Sequence, residues 1–119
     1  MRVLLLGPYP PPHGGVQINL VAIRRFLLER GATCMVINLT RFQQADASQV
    51  FHPKSAFGVL KLLLRLPYDI AHLHVGGCLT FRLLALSLLC TLLPRAKSVL
   101  TFHSGGYASS PQGRRARYW

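Results

Sequence analysis

The sequence predicts an α/β fold: a Rossmann-like parallel sheet with flanking helices. Three observations predict it. Short apolar runs (Val3-Leu4-Leu5-Leu6, Cys34-Met35-Val36-Ile37, Val99-Leu100) read as strands of a parallel sheet, which are buried on both faces. Longer segments with helical spacing of apolar residues alternate with them. Glycine pairs, Gly14-Gly15, Gly76-Gly77 and Gly105-Gly106, each follow a strand. In open α/β sheets that is the edge where ligands bind.

The first strand covers Arg2 to Leu6. The loop Gly7-Pro8-Tyr9-Pro10-Pro11-Pro12-His13-Gly14-Gly15-Val16 follows and leads into a helix. Its prolines exclude helix and interior strand and stiffen an extended path. The glycines lack Cβ atoms, so a ligand can approach the backbone closely. The first N–H groups of the helix, with the positive end of its dipole, favour an anion such as a phosphate. The same loop also reads as a plain turn. It matches neither G-x-G-x-x-G nor G-x-x-x-x-G-K-[ST]; the first mismatch removes support for a nicotinamide or flavin site, the second excludes a P-loop.

The first helix runs from Val16 to Arg30, with Ile18, Val21 and Leu28 on its apolar face and Arg24, Arg25 and Arg30 opposite. Gly31 ends it in the manner of a C′ residue. A second strand covers Thr33 to Leu39, and Thr40 to Pro53 reads as a loop. The second helix spans Ser55 to Leu66, with Phe57, Leu60, Leu63 and Leu64 on one face and Pro67 just beyond. Asp69 to Val75 is the third strand. Leu79 to Leu93 is apolar but shorter than the roughly 20 residues a membrane span needs, and carries Arg82. It reads as a core helix closed by Pro94. Ser98 to His103 is the fourth strand, and an Arg-rich tail opens a further helix near Gly113.

A chain of 119 residues with half its residues hydrophobic is one globular domain with a modest core. Its formal charge is +11, because only Glu29, Asp46 and Asp69 oppose 14 Lys and Arg. That balance points to an anionic partner: a phosphorylated ligand, an acidic membrane surface or nucleic acid. Cys34, Cys78 and Cys90 make no C-x-x-C pair and no zinc spacing. Cys34 and Cys90 sit in apolar runs as reduced core residues, and no signal peptide is legible, so a cytoplasmic location is expected.

Candidate chemistry gathers at the strand ends. His13, His72, His74 and His103 fall at or near one predicted edge. His72 and His74, two apart in a strand, share a face. A metal pair is one reading, although no Asp, Glu or Cys stands beside them. Core packing for one and a place at the ligand edge for the other is the preferred reading. His103 precedes Ser104-Gly105-Gly106, where an imidazole can donate to a sugar hydroxyl or a phosphate. The other reading of His103 is capping or packing. No acid–base carboxylate pair and no Ser-His-Asp order is visible. Asp69 reads as a structural cap or pair.

Met1-Arg2-Val3-Leu4-Leu5-Leu6-Gly7-Pro8-Tyr9-Pro10-Pro11-Pro12-His13-Gly14-Gly15-Val16-Gln17, then Leu28-Glu29-Arg30-Gly31-Ala32, Asp69-Ile70-Ala71-His72-Leu73-His74 and Ser98-Val99-Leu100-Thr101-Phe102-His103-Ser104-Gly105-Gly106, together resemble the N-terminal domain of a family 4 glycosyltransferase. The resemblance covers about residues 1–107, with 108–119 a basic tail that begins an incomplete further element. It implies the N-terminal half of a GT-B fold and a retaining transfer of sugar from a nucleotide-sugar donor, the donor being a substrate, with no cofactor and no metal. It implies that Gly14 and Gly15 approach the donor diphosphate and His103 the donor sugar. His13, His74, Gly76, Gly77, Ser104 and Gly105 would then form an acceptor or ligand edge. The C-terminal domain, with the family's paired glutamates and basic phosphate-binding residues, is not in this sequence. The expectation is therefore a fragment that does not catalyse transfer alone. The expected partners are a sugar or lipid-linked acceptor, the missing domain, and a membrane surface met through Arg24, Arg25, Arg30, Lys54, Lys61 and Arg65. The rival reading is a non-catalytic module that binds an anionic ligand or membrane surface. Nucleic-acid binding ranks last, because no recognition motif or aromatic interleaving supports it.

Overall fold

We describe residues 1–11, 13–40, 47–77, 79–94, 96–103 and 111–116 in a computed structural model of the chain. The elements are β1 (Arg2–Gly7), α1 (Gly15–Glu29), β2 (Thr33–Asn38), β3 (Val50–Phe51), α2 (Ala56–Arg65), β4 (Ile70–Val75), α3 (Phe81–Leu92), β5 (Lys97–Phe102) and α4 (Pro111–Ala116). The strands form one sheet in the order β3-β2-β1-β4-β5, and every pairing is parallel. This is the Rossmann-like α/β arrangement that the alternating pattern predicts.

The apolar runs explain the sheet. Successive side chains of β1 point to opposite faces, so both faces need cover. Val3 and Leu5 join Cys34 and Val36 under Leu20 of α1, with Ile23 and Leu27 beside them. Leu4 and Leu6 join Met35, Ile37, Leu73 and Val75 on the other face, under Leu63 of α2 and Cys90 of α3. Burial pushes the Cys34 thiol up to about 11, and the Cys90 thiol upward too, which leaves both as inert core groups.

The helix ends follow from their sequences. Gly31 adopts φ 76°, and its N–H donates to the Leu28 carbonyl while that of Ala32 donates to Leu27. Those two bonds form a Schellman motif, for which the left-handed residue is best a glycine. Ser55 and Thr80 cap α2 and α3 through their side-chain oxygens. Asp69 pins the start of β4 to β1, accepting from the Arg2 backbone N–H at 2.8 Å and from its guanidinium at 2.8 and 3.3 Å. These bonds, the side-chain one foremost, hold its carboxyl down at about 2.

Several sequence expectations need correction. The stretch from Thr40 to Pro53 holds a strand: Val50 and Phe51 pair with Val36 and Ile37. Two residues are too few for a period to show. On α1, Ile18 and Leu28 are exposed; the stripe that meets the sheet contains Leu20, Ile23 and Leu27. Both stripes have helical spacing, but Arg25 interrupts the first while Val16, Leu20, Ile23 and Leu27 run unbroken. On α2 the packed residues are Val59, Leu62 and Leu63, and Phe57 and Leu64 are exposed. The helix Phe81–Leu92 is covered on one side only: Leu83, Leu86 and Leu89 pack on the core, whereas Phe81, Leu84, Leu88 and Leu92 are exposed. Among the described residues, no helix is long and apolar enough to cross a membrane.

Candidate functional site

The sheet grows from β1 through β2 to β3, and the chain then returns to place β4 on the other side of β1. The connections leaving β1 and β4 therefore diverge, α1 to one face and α3 to the other. A crevice opens between such connections at the strands' C-terminal ends, at the topological switch point. Here it is a cleft of about 300 Å³, with Pro8, Val16 and Gln17 on one side and His74, Gly76 and Gly77 on the other.

The start of α1 faces this cleft with an unusual end. Its N-cap is Gly14, which supplies no side-chain cap, and no acidic residue stands in its first turn. Its leading N–H groups thus keep their capacity for an oxygen ligand, with the helix dipole behind them. A Cβ built on Gly15 meets nothing within 4 Å, so backbone and open space adjoin there. Gly76 is under the opposite constraint. A Cβ on it would lie 2.5 Å from Cγ2 of Val16, so any side chain there would force the Val16 side chain at the start of α1 to shift.

Three histidines cluster at the cleft: His74 lines it, and its ring contacts those of His72 and His103. His72 and His74 occupy the α1 side of β4, their ring centroids 4.0 Å apart. His72 Nε2 stands 2.8 Å from Thr101 Oγ1 on β5. His74 Nδ1 stands 3.0 Å from His103 Nε2, just past β5. His103 is fixed in turn by its backbone N–H, which donates to the Val75 carbonyl at 2.7 Å. His74 is 1 % exposed, and its Nε2 is buried without a hydrogen-bond partner. Burial first, then the neighbouring His72 and His103, push its imidazole down to about 4. His72 is lowered as well, by burial and then by His103. Both rings are therefore neutral at pH 7.

A polar hub that sequence reasoning missed stiffens the same edge. Asn38, 1 % exposed, ends β2. Its Oδ1 accepts from the Tyr9 N–H at 3.1 Å, the Thr40 N–H at 3.0 Å and the Thr40 hydroxyl at 2.8 Å. Its Nδ2 lies 3.1 Å from His52 Nδ1. One amide thus ties the proline-rich loop to the ends of β2 and β3. The available signal was a lone polar residue closing an apolar strand. Arg24 extends the tie: it donates to the Ser48 carbonyl at 2.6 Å and to the Tyr9 hydroxyl at 3.5 Å.

The structure brings Gly14, Gly15, His74, Gly76, Gly77 and His103 to this one edge. Of these, His74, Gly76 and Gly77 line the cleft, and Gly14, Gly15 and His103 stand beside it. His13 is exposed on the loop. Ser104, Gly105 and Cys78 lie outside the described residues. The six cations expected at a membrane do not share one face. Arg24, Arg25 and Arg30 belong to the α1 side, where Arg25 pairs with Glu29 at 2.9 Å and Arg30 lies over the Phe26 ring. Lys54, Lys61 and Arg65 lie at α2, on the opposite side of the sheet. A larger groove of about 840 Å³ runs between α2 and α3, floored by Val59, Leu83 and Leu86 and rimmed by Lys54 and Arg82.

This geometry defines an α/β protein with a Rossmann-like sheet and a cleft at its switch point. Comparison with protein-family models, curated proteins and solved structures gives no match.

Proposed function

We propose that the chain is the acceptor-side part of a retaining glycosyltransferase, which moves a sugar from a nucleotide-sugar donor to a sugar or lipid-linked acceptor. One observation carries this reading: a cleft lined by Val16 and Gln17 of an uncapped helix start and by His74, Gly76 and Gly77 lies beside Gly14 and Gly15, with His103 bonded to His74. A diphosphate suits the amides at Gly14 and Gly15, and an imidazole at His103 suits a sugar hydroxyl beside it. The groove between α2 and α3 suits an acceptor with an apolar tail and an anionic group, through its leucine floor and the cations Lys54 and Arg82. Among the described residues the two acids are spent elsewhere, Glu29 on Arg25 and Asp69 on Arg2. Carboxylate chemistry in the transfer therefore falls to residues outside the cleft described here. That same observation favours the second reading, a module that binds an anionic ligand without catalysis.

The deciding experiment measures sugar transfer by the polypeptide encoded by this chain together with whatever follows it in frame. Gly15→Val should lower donor use roughly tenfold or more. Melting temperature should barely move, because a Cβ at Gly15 has open space. Unchanged transfer would remove the diphosphate role. If no nucleotide-sugar supports transfer while inorganic diphosphate shifts the Gly14 and Gly15 amide resonances, the binding-module reading replaces the first.

A further inference from the structure

We infer that His74 is a positioning residue: it donates through Nδ1–H to His103 and so holds His103 in the Nδ1–H tautomer, presenting a donor to a ligand oxygen. The inference starts from the contact of His74 Nδ1 with His103 Nε2 at 3.0 Å. One of those two nitrogens must carry the hydrogen between them. The neutral His74 ring has a single N–H to place. If that hydrogen sat on Nε2, a buried N–H would have no acceptor, because Nε2 has no partner. If it sits on Nδ1, Nε2 is left as a bare lone pair. Orphaned buried N–H groups are the rarer and costlier of the two defects. The hydrogen therefore belongs on Nδ1 of His74, and Nε2 of His103 accepts it.

A neutral His103 whose Nε2 accepts must carry its own hydrogen on Nδ1. Its backbone is held by the bond from its N–H to Val75, and its ring stacks on that of His74 at 5.3 Å. His72 closes the far side of His74 and is itself held to Thr101, so the His74 ring has little freedom to turn over. The result is a relay in which a buried ring sets the tautomer of a more exposed one. Held this way, His103 meets a hydroxyl or phosphate oxygen as a donor, not as a proton acceptor. Its use toward a donor sugar rests on the glycosyl-transfer reading. The tautomer does not, so the two can fail separately.

Long-range 1H–15N correlation spectra of the uniformly labelled 119-residue chain read tautomers directly. At pH about 8, above the ordinary imidazole range, both His74 and His103 should show the Nδ1–H pattern. In His74→Leu, His103 should shift to the mixed tautomers of a free imidazole. In His74→Asn, whose amide N–H stands near the place of Nδ1, His103 should keep its Nδ1–H. An Nε2–H pattern for His103 in the unaltered chain would overturn the inference. So would an unshifted Nδ1–H in folded His74→Leu. Should His74→Leu fail to fold, the unaltered chain decides the matter on its own.

Discussion

Four aliphatic side chains form one row across the α2–α3 face of the sheet: Ile37, Leu6, Leu73 and Leu100. Their exposures are 0 %, 0 %, 2 % and 51 %. The residues are chemically alike and stand at the same level of the same sheet. What differs is the neighbourhood. Leu6 has a strand on each side and helices over both faces, whereas among the described residues β5 has β4 on one side only. The other face repeats the contrast, with Val36 and Leu5 fully buried and Val99 45 % exposed. Burial here is a property of position in the sheet and not of the apolar run itself. The two sheet edges differ as well. Among the described residues, β3 leaves an edge of two residues and β5 one of six, and a long apolar edge is the more open to further pairing.

The sharpest way to break this contrast is truncation in the row. Leu6→Ala should cost about 2–5 kcal/mol, as a cavity in a closed core does. Leu100→Ala should cost less than about 1 kcal/mol, since half of that side chain is already in water. Denaturant titration of both variants checks this; equal losses would mean that β5 is covered in solution. A smaller effect sharpens the comparison on the α1 face, where the row passes through His72. The imidazoles of His72 and His74 are depressed in the folded chain, so the unfolded chain takes up protons first as pH falls. Stability should be full near pH 7 and decline from the ordinary histidine range toward about pH 4. His74→Asn should flatten part of that decline in melting temperature. Asp69 acts lower still. Its contribution is present above the ordinary carboxylate range and disappears as pH falls toward about 2, and Asp69→Asn should remove that acid limb. Least of all, Arg25→Ala removes an exposed i,i+4 pair and should change stability by no more than about 0.5 kcal/mol.

Most of the fold was legible because parallel strands announce themselves as apolar runs. The four long strands, the three long helices and the Gly31 terminus all follow from local pattern. The strand Val50–Phe51 did not, because two residues carry no period. Helix faces were misread where two apolar stripes competed, and only contact with β1 and β2 distinguishes Leu20 from Ile18. At the site, Gly14, Gly15 and His103 were legible from their places at strand ends. Asn38, Thr101 and the inward turn of Arg24 were not. Each has a partner at least fourteen residues away, as in the bond from Arg24 to Tyr9, that between Asn38 and His52 and that between Thr101 and His72. Chain spacing says nothing about such meetings.

A sheet whose strands all run one way has a further consequence. The helices that return between them, α1, α2 and α3, run against the strands and begin at the same edge. Their peptide dipoles therefore add instead of cancelling. The molecule has an electrical front and back before any Lys or Arg is counted, and its front is the side that bears the cleft. A small anion approaching that side meets the positive ends of three helices, and one approaching the far side meets their negative ends.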